Sequence, residues 1–288
     1  MYELSQYAFI AAIAALGLAM LLYLANLIGA RSARLVGLAS GGAISNSTAL
    51  GAVDTAGRYA TIATVNALLF LTASLIFRTI DSGRGPISNM YEFSLAFAWG
   101  AVVIYLYFEV AYRLRALALL VLPVALGMLA YATTVPSDIR PLVPALQNDL
   151  LLTIHVAVAV LAYGAFAVAF GGAVLFLFQR HDTIRWLPRS AVLDELSYKA
   201  VLIGFPLMAM TLILGAVWAD IAWGSYWTWD PKETAALVTW LIYGAYLHAR
   251  VLREWRGAGA AGLLILGFGA TMFTLFGNYF LGGLHSYA

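Results

Sequence analysis

The chain has 288 residues, of which 63% are hydrophobic and only 10% are charged, and its mean hydropathy is +0.87. A soluble domain carries roughly a quarter charged residues, so this composition excludes an ordinary soluble enzyme and predicts an integral membrane protein. The net charge of +2 says little about partners, and we expect no nucleic acid among them. Cysteine is absent, which excludes disulfides, thiolate metal ligands and a thiol nucleophile within the chain.

Long apolar runs predict an all-α, polytopic membrane protein with about eight transmembrane helices. A helix needs about 20 predominantly apolar residues to cross the hydrocarbon core. The first run has no basic residue before Arg31, so we interpret it as a retained span rather than a cleavable signal peptide. The predicted spans cover, roughly, residues 7–28, 59–77, 91–111, 115–132, 150–178, 199–221, 233–252 and 260–281.

Basic residues alternate between successive connections, and this alternation predicts the orientation of the chain. Twelve of the 16 basic residues lie in one set of connections and four in the other. The positive-inside rule places the richer set in the cytoplasm. Both termini and the loop at residues 223–233 are therefore expected on the outer side.

We expect residues 1–288 to form a single integral membrane domain, because no connection is long enough to bury a separate core. Residues 1–84 hold the first two spans, joined at residues 37–57 by a small and polar segment that predicts a flexible cytoplasmic linker. Residues 85–288 form the remaining core, which contains the loop at residues 223–233.

Three of the four histidines are candidate ligands, and their depths in the membrane divide them into two groups. His155 begins the fifth span and His285 follows the eighth, both near the outer surface, whereas His181 lies in a charged loop. His248 lies fifteen residues beyond Glu233 in the seventh span, about 22 Å deeper at 1.5 Å per residue. One metal centre can use His155 and His285 but not His248 as well, so the sequence predicts two stations. The alternatives are snorkelling of His248 at a helix end and interfacial hydrogen bonding by the outer pair.

The connection WGSYWTWDPKE, residues 223–233, concentrates aromatic rings and charges. Five of the eight tryptophans fall between Trp218 and Trp240, which is more clustered than an interfacial aromatic belt. Such a surface suits a large planar apolar ligand. Asp230 and Glu233 match the start of a helix, with aspartate at the N-cap, so we expect helix capping to be their main role.

The segment WGSYWTWDPKETAALVTW resembles the WWD signature of haem-handling membrane proteins, in the form found in the CcsA (ResC) branch of the System II cytochrome c synthases. GPISNMYEF at 85–93 is similar to an outer-loop segment of that family. His155, His248 and the sequence GLHSY around His285 fall where this branch has its histidines. The resemblance runs from about residue 85 to the C-terminus, and Ala235 stands where the branch often has tryptophan.

This resemblance implies the haem-binding subunit of a holocytochrome c synthase, or haem lyase, that works with a CcsB (ResB) partner in membrane lipid. Such a protein carries haem b across the bacterial cytoplasmic membrane, or the thylakoid membrane if it is plastid-type. It presents the haem on the outer side for thioether attachment to Cys-x-x-Cys-His of an apocytochrome c. His155 and His285 would be the catalytic axial pair outside, and His248 an inner metal ligand opposite a ligand from the partner. The implied haem platform consists of Trp223, Trp227, Trp229 and Asp230.

Three other functions remain open at this point. A haem exporter or chaperone of the same superfamily presents haem without attaching it, although the smaller carriers have fewer spans. A b-type electron-transfer subunit usually places both histidines of one haem on facing helices of the same chain, and His248 has no second histidine at its depth. A small-solute transporter is expected to carry charges or broken helices at the midplane, and apart from Glu109 the spans have almost no charges.

Overall fold

The computed structural model describes residues 1–39, 46–139, 149–184 and 186–285, and throughout these ranges the regular structure is helical. Eight of the described helices are long and apolar enough to cross a membrane, which confirms the predicted number. A helix satisfies its own backbone hydrogen bonds and is therefore suited to hydrocarbon. The helices are α1 Tyr2–Ala39, α2 Asn46–Ser82, α3 Met90–Tyr112, α4 Ala118–Ala132, α5 Asp149–Gln179, α6 Ser190–Trp223, α7 Pro231–Arg253, α8 Ala258–Phe276 and the short α9 Asn278–Leu281.

The prediction of a flexible linker at residues 37–57 is wrong for residues 37–39, which end α1, and for residues 46–57, which form the first turns of α2. The alanine and leucine residues of this stretch favour helix, and its last glycine lies where two helices pack closely. A Cβ atom on Gly57 would lie 2.8 Å from the side-chain nitrogen of Asn26 on α1. Residues 40–45 lie outside the described part of the chain.

The last predicted span, residues 260–281, is divided into two helices. α8 ends at Phe276, and the Gly277 amide donates to the Phe273 carbonyl at an N···O distance of 2.6 Å. Beyond α9 the chain turns at Gly282 and Gly283, whose φ angles are 61° and 154°, a region that glycine adopts at little cost. This turn directs the residues after α9 back toward the start of α7.

α3 and α5 are the central helices of the bundle. Their membrane-spanning windows are 67% and 61% buried, against 28% for α1. A Cβ atom on Gly164 of α5 would lie 2.5 Å from the carbonyl oxygen of Gly100 on α3, so the two backbones are in contact at this crossing. α6 and α7 instead meet through aromatic rings, with Phe205 and Trp240 stacked at a centroid distance of 5.0 Å.

A buried ion pair fixes the polar segment that precedes α3. Nη2 of Arg78 lies 2.8 Å from Oε1 of Glu92, and their side chains are 0% and 1% exposed. The other carboxylate oxygen of Glu92 accepts from the backbone amide and the hydroxyl of Ser88, each at 2.8 Å. Asn89 caps α3 by accepting from the Glu92 amide at 2.9 Å. These contacts hold residues 85–89 in one position above α3.

The connections gather at two opposite ends of the bundle. One end holds residues 83–89, 133–139, 224–230 and 277–285, and we call it the tryptophan pole. The other, the basic pole, holds the connections that follow α3, α5 and α7. Near the basic pole, the buried carboxylate of Glu109 accepts hydrogen bonds from Tyr23 and Thr61 at 2.5 Å each and lies 3.5 Å from Arg115. The acidic side chain predicted within a span is therefore satisfied by neighbouring helices.

Replacing Arg78 with methionine should lower the melting temperature of the chain strongly. The change leaves Glu92 as a buried charge without its partner, which typically costs about 3–5 kcal/mol. Thermal unfolding of the detergent-purified chain, followed by intrinsic fluorescence, measures the effect. Arg58→Met is the matched control, because the ion pair of Arg58 with Asp54 is solvent-exposed and contributes little. Equal melting temperatures for the two variants would contradict the prediction.

Candidate functional site

A cavity at the tryptophan pole lies between α3, α5, α6, α7 and α8. Its empty space is about 1230 Å³, a volume that includes the open mouth. Apolar side chains form most of the wall. The ionisable or aromatic side chains with most chemical interest are His155 on α5, His285 after α9, Trp227, and Lys232 and Glu233 at the start of α7.

The carboxylate of Asp230 joins the start of α7 to His285. Oδ1 accepts from the Lys232 backbone amide at 2.9 Å and lies 2.8 Å from Nδ1 of His285. Oδ2 accepts from the Leu284 amide at 2.6 Å. The backbone can approach this closely because residue 283 is glycine, where a Cβ atom would lie 3.2 Å from Cγ of Asp230. Asp230 and Glu233 also form a complete capping box, as the sequence predicts.

Electrostatics keep His285 neutral and Asp230 ionised. Burial and the nearby charge of Lys232 lower the pKa of His285 to about 4, although Asp230 acts in the opposite direction. Burial raises the pKa of the Asp230 carboxyl, but the hydrogen bond from the Lys232 amide and the interaction with His285 outweigh it, so that this pKa lies below its usual value. A neutral His285 that donates from Nδ1 to Asp230 has Nε2 as its metal-binding nitrogen.

His155 occupies a tight position between α5 and α6. Its Nδ1 atom is buried and has no hydrogen-bond partner in the described part of the chain, an arrangement that is costly unless a ligand supplies one. A Cβ atom on Gly215 of α6 would lie 2.8 Å from Cε1 of the ring. Glycine at this position therefore makes room for the imidazole on the cavity wall.

The tryptophans differ in their relation to the cavity. Trp227 and Trp218 are part of the wall. Trp223 packs edge-on against His285 with ring centroids 4.8 Å apart, and the buried Trp218 packs edge-on against Trp223, also at 4.8 Å. Trp229 contacts Trp227 at 5.7 Å but is 70% exposed and has a φ of 61°. Of the predicted platform, Trp227 faces the cavity, Trp223 supports His285, and Trp229 lies on the outer surface.

His248 lies away from the cavity, on the exposed face of α7. Val238, Leu241 and Leu252 are exposed on the same helix, at 46%, 52% and 67%. Below His248, Arg250 turns inward and binds Asp194 of α6 at 2.8 Å. The structure therefore places His155 and His285 on one cavity and His248 on a separate, outward-facing surface.

Several residues of the site give no signal in the sequence. Gly215 and Trp218 lie within a continuous apolar run, where neither glycine nor a single tryptophan is unusual. The sequence around Lys232 indicates only the start of a helix, and residues 87–90, which line the cavity, are indicated only by the family resemblance. The contact between Asp230 and His285 joins residues that are 55 positions apart, and nothing local indicates it.

The fold and the site define a polytopic helical membrane protein with two imidazoles on a cavity beside a tryptophan-rich loop. The model of the family described as "Cytochrome C assembly protein" matches residues 87–285. The CcsA cytochrome c biogenesis protein of Guillardia theta is 38% identical over 252 residues, covering 78% of this chain and 83% of that protein. The CcsA of Synechococcus elongatus is 36% identical over an alignment of 302 residues, covering 86% and 91%. The chain therefore belongs to the cytochrome c assembly family, as a member of the CcsA type.

A solved structure of the protein named "Cytochrome c Heme Lyase CcmF" is similar in fold, with a TM-score of 0.64 and 20% sequence identity. The similarity covers 93% of this chain and 46% of CcmF. The chain thus spans about half the length of CcmF, and at this level of identity the likeness concerns the arrangement of helices.

Acidification should destabilise the wild-type chain more than it destabilises the His285→Gln variant. The unfolded imidazole, with a pKa near 6.5, binds a proton below that pH, whereas folded His285 binds one only near pH 4. The stability that depends on a neutral His285 is therefore complete above pH 6.5 and is lost as the pH falls toward 4, by on the order of 3 kcal/mol at most. Melting temperatures at pH 7 and pH 4.5 measure this loss.

The exposed His181 provides the control for this comparison. His181→Gln should lose as much stability on acidification as the wild-type chain. A loss in His285→Gln as large as in the wild-type chain would show that protonation of His285 does not limit stability.

Proposed function

We propose that this chain is the haem-binding subunit of a System II cytochrome c synthase and acts as a haem lyase together with a CcsB-type partner. It carries haem b across the membrane and presents it at the tryptophan pole. There the haem is attached through thioether bonds to Cys-x-x-Cys-His of an apocytochrome c. The observation that carries the proposal is the placement of His155 and His285 on the wall of one cavity. Two imidazoles complete the coordination of an iron that already has four porphyrin nitrogens.

The hydrogen bond between Asp230 and His285 supports the role of His285 as an iron ligand. A carboxylate that accepts from the second ring nitrogen fixes the tautomer of a metal-binding imidazole and increases its basicity. Asp230 is ionised and is held by the Lys232 and Leu284 amides. It therefore orients the imidazole without competing for the metal.

The chemical contribution of the chain is largely positioning. The haem supplies vinyl groups, and each thiol of the apocytochrome adds across one of them, with sulfur bonding to one carbon and the thiol proton ending on the other. Trp227 and the apolar wall exclude water and hold the ring plane, which places thiol and vinyl in attack geometry. The histidine of the apocytochrome motif then replaces His155 or His285 and removes the product. Because this chain has no cysteine, none of its own side chains competes for the vinyl groups.

His248 provides a second, inner haem ligand in this proposal. Its exposed position on α7 means that a haem bound to it lies at the lipid-facing surface. The opposite axial ligand then comes from another chain, for which a CcsB-type partner is the candidate. This arrangement matches the difference in depth between His248 and the cavity.

The proposed orientation puts the tryptophan pole and both termini outside. Arginines gather at the basic pole, where the positive-inside rule expects the cytoplasm. The membrane is the bacterial cytoplasmic membrane, or the thylakoid membrane if the chain is plastid-type. With this orientation the cavity opens to the compartment in which the apocytochrome is modified.

Replacing either His155 or His285 with alanine should abolish cytochrome maturation while haem remains bound at the inner station. The loss of one axial imidazole leaves the iron of the outer haem with an open position. Covalent haem in a co-expressed reporter cytochrome, detected by haem staining after denaturation, measures the effect. Exogenous imidazole should restore part of the activity, and His181→Ala is the control.

Two outcomes of that experiment would count against the proposal. Normal maturation in both variants would remove the outer pair from the mechanism. A wild-type chain that acquires haem but never yields covalent cytochrome, even with the partner present, would favour a haem exporter or chaperone.

Replacing His248 with alanine should lower the amount of haem that copurifies with the chain and its CcsB-type partner, because the inner iron loses a ligand. The reduced absorption spectrum measures both the quantity of haem and its bis-histidine character. Leu252→Ala is the matched control, since Leu252 is exposed on the same helix. Unchanged haem retention in His248→Ala would remove His248 from the inner station.

A further inference from the structure

Among the described residues that line the cavity is a cationic side chain, Lys232, which has no part in the proposed coordination of iron. Lys232 is the second residue of α7, lines the cavity and is only partly exposed. Its ammonium group forms no ion pair with any carboxylate in the described ranges. The charge nevertheless acts on both imidazoles, since it contributes to the electrostatic environment of His155 and of His285. Lys232 therefore lies on the same cavity as both proposed iron ligands.

The nearest carboxylates are engaged elsewhere. Asp230 accepts from two backbone amides and from His285. Oε2 of Glu233 accepts from the Thr228 amide at 2.8 Å, the Thr228 hydroxyl at 3.2 Å and the Asp230 amide at 3.3 Å. Both carboxylates thus stabilise the start of α7, and neither forms an ion pair with the Lys232 ammonium.

The fold itself gives no reason for a cation at this position. Lys232 lies in the first turn of α7, where the helix dipole favours negative rather than positive side chains. A partly buried ammonium that forms no ion pair also loses hydration, and the attraction of the nearby Asp230 carboxylate offsets only part of this cost. Both costs are offset if an anionic group of the ligand lies beside it.

We propose that Lys232 binds a propionate carboxylate of the haem in the outer cavity. This inference rests on the proposed function, because it concerns the ligand of that same cavity. An ammonium–carboxylate pair is among the stronger hydrogen-bonded contacts in proteins, and the two lining imidazoles are neutral in their ligating form. Lys232 therefore supplies a positive charge beside the edge of the porphyrin that carries the two propionate carboxylates.

The contact also sets the rotation of the haem within its plane. Axial ligation by His155 and His285 fixes the iron but leaves the ring free to rotate about the axis that joins them. The propionates occupy one edge of the ring and the vinyl groups lie away from that edge. Binding a propionate at the start of α7 directs the vinyl groups away from α7, toward the other walls of the cavity.

The test compares haem b with its dimethyl ester, in which both propionates are neutral. The 288-residue chain is purified in detergent in a His248→Ala background, which leaves the cavity as the remaining proposed haem site, and each porphyrin is titrated by its Soret absorption. The parent should bind haem about 10- to 100-fold more tightly than the ester, the range expected for a charge-assisted hydrogen bond. Lys232→Met should weaken haem binding to the level of the ester and leave ester binding unchanged, whereas Lys232→Arg should keep most of the preference.

Lys199→Met is the matched control, because Lys199 is the other lysine of the chain and lies near the basic pole. It should retain the full preference of the parent. An equal affinity of the parent for both porphyrins, or an undiminished preference in Lys232→Met, would overturn the assignment of Lys232. The comparison on the parent holds even if Lys232→Met does not fold. Failure of the parent to bind either porphyrin would instead overturn the proposed function together with this inference.

Discussion

The Asp230 carboxylate is the contact on which the architecture of the cavity depends. One of its oxygens, Oδ1, accepts from the first turn of α7 and also lies against Nδ1 of His285. Both contacts are stronger when the carboxylate is ionised, so the start of the helix and the tautomer of the imidazole are stabilised by the same charge. A helix cap and the orientation of a ligating side chain, which are separate features in most proteins, are coupled here in one residue.

A buried ion pair stabilises the opposite side of the cavity. The Arg78–Glu92 pair and the Ser88 contacts fix residues 85–89, so the segment that lines the cavity beside α3 is anchored to α2. The cavity thus lies between two polar anchors, one on the α7 side and one on the α3 side. Between these anchors the walls are mostly apolar and consist of side chains from the membrane-spanning helices.

The features predicted correctly from the sequence are those that depend on local physical requirements. The number of spans follows from the length of apolar sequence that a bilayer demands, and the capping box of α7 follows from residue spacing alone. Features that depend on tertiary packing were not predictable. The close packing of Gly57 at the start of α2 against Arg115 and Asn26, the hydrogen bond from Gly277 at the end of α8, and the positive φ of the exposed Trp229 are tertiary or backbone features of this kind. The placement of His155 and His285 on one cavity agrees with their expected depth, while their roles as iron ligands remain predictions.

The crossing of α3 and α5 makes one wall of the cavity mechanically stiff. At Gly100 and Gly164 the two backbones touch. Because glycine has no side chain, any separation of the helices there would leave an unfilled gap. α6 and α7 touch through the rings of Phe205 and Trp240, which can slide or rotate while they remain in contact, and the Arg250–Asp194 ion pair joins the two helices near the basic pole. A bulky rigid solute therefore meets a fixed surface at the α3–α5 crossing and a more adjustable one where α6 and α7 meet through these rings.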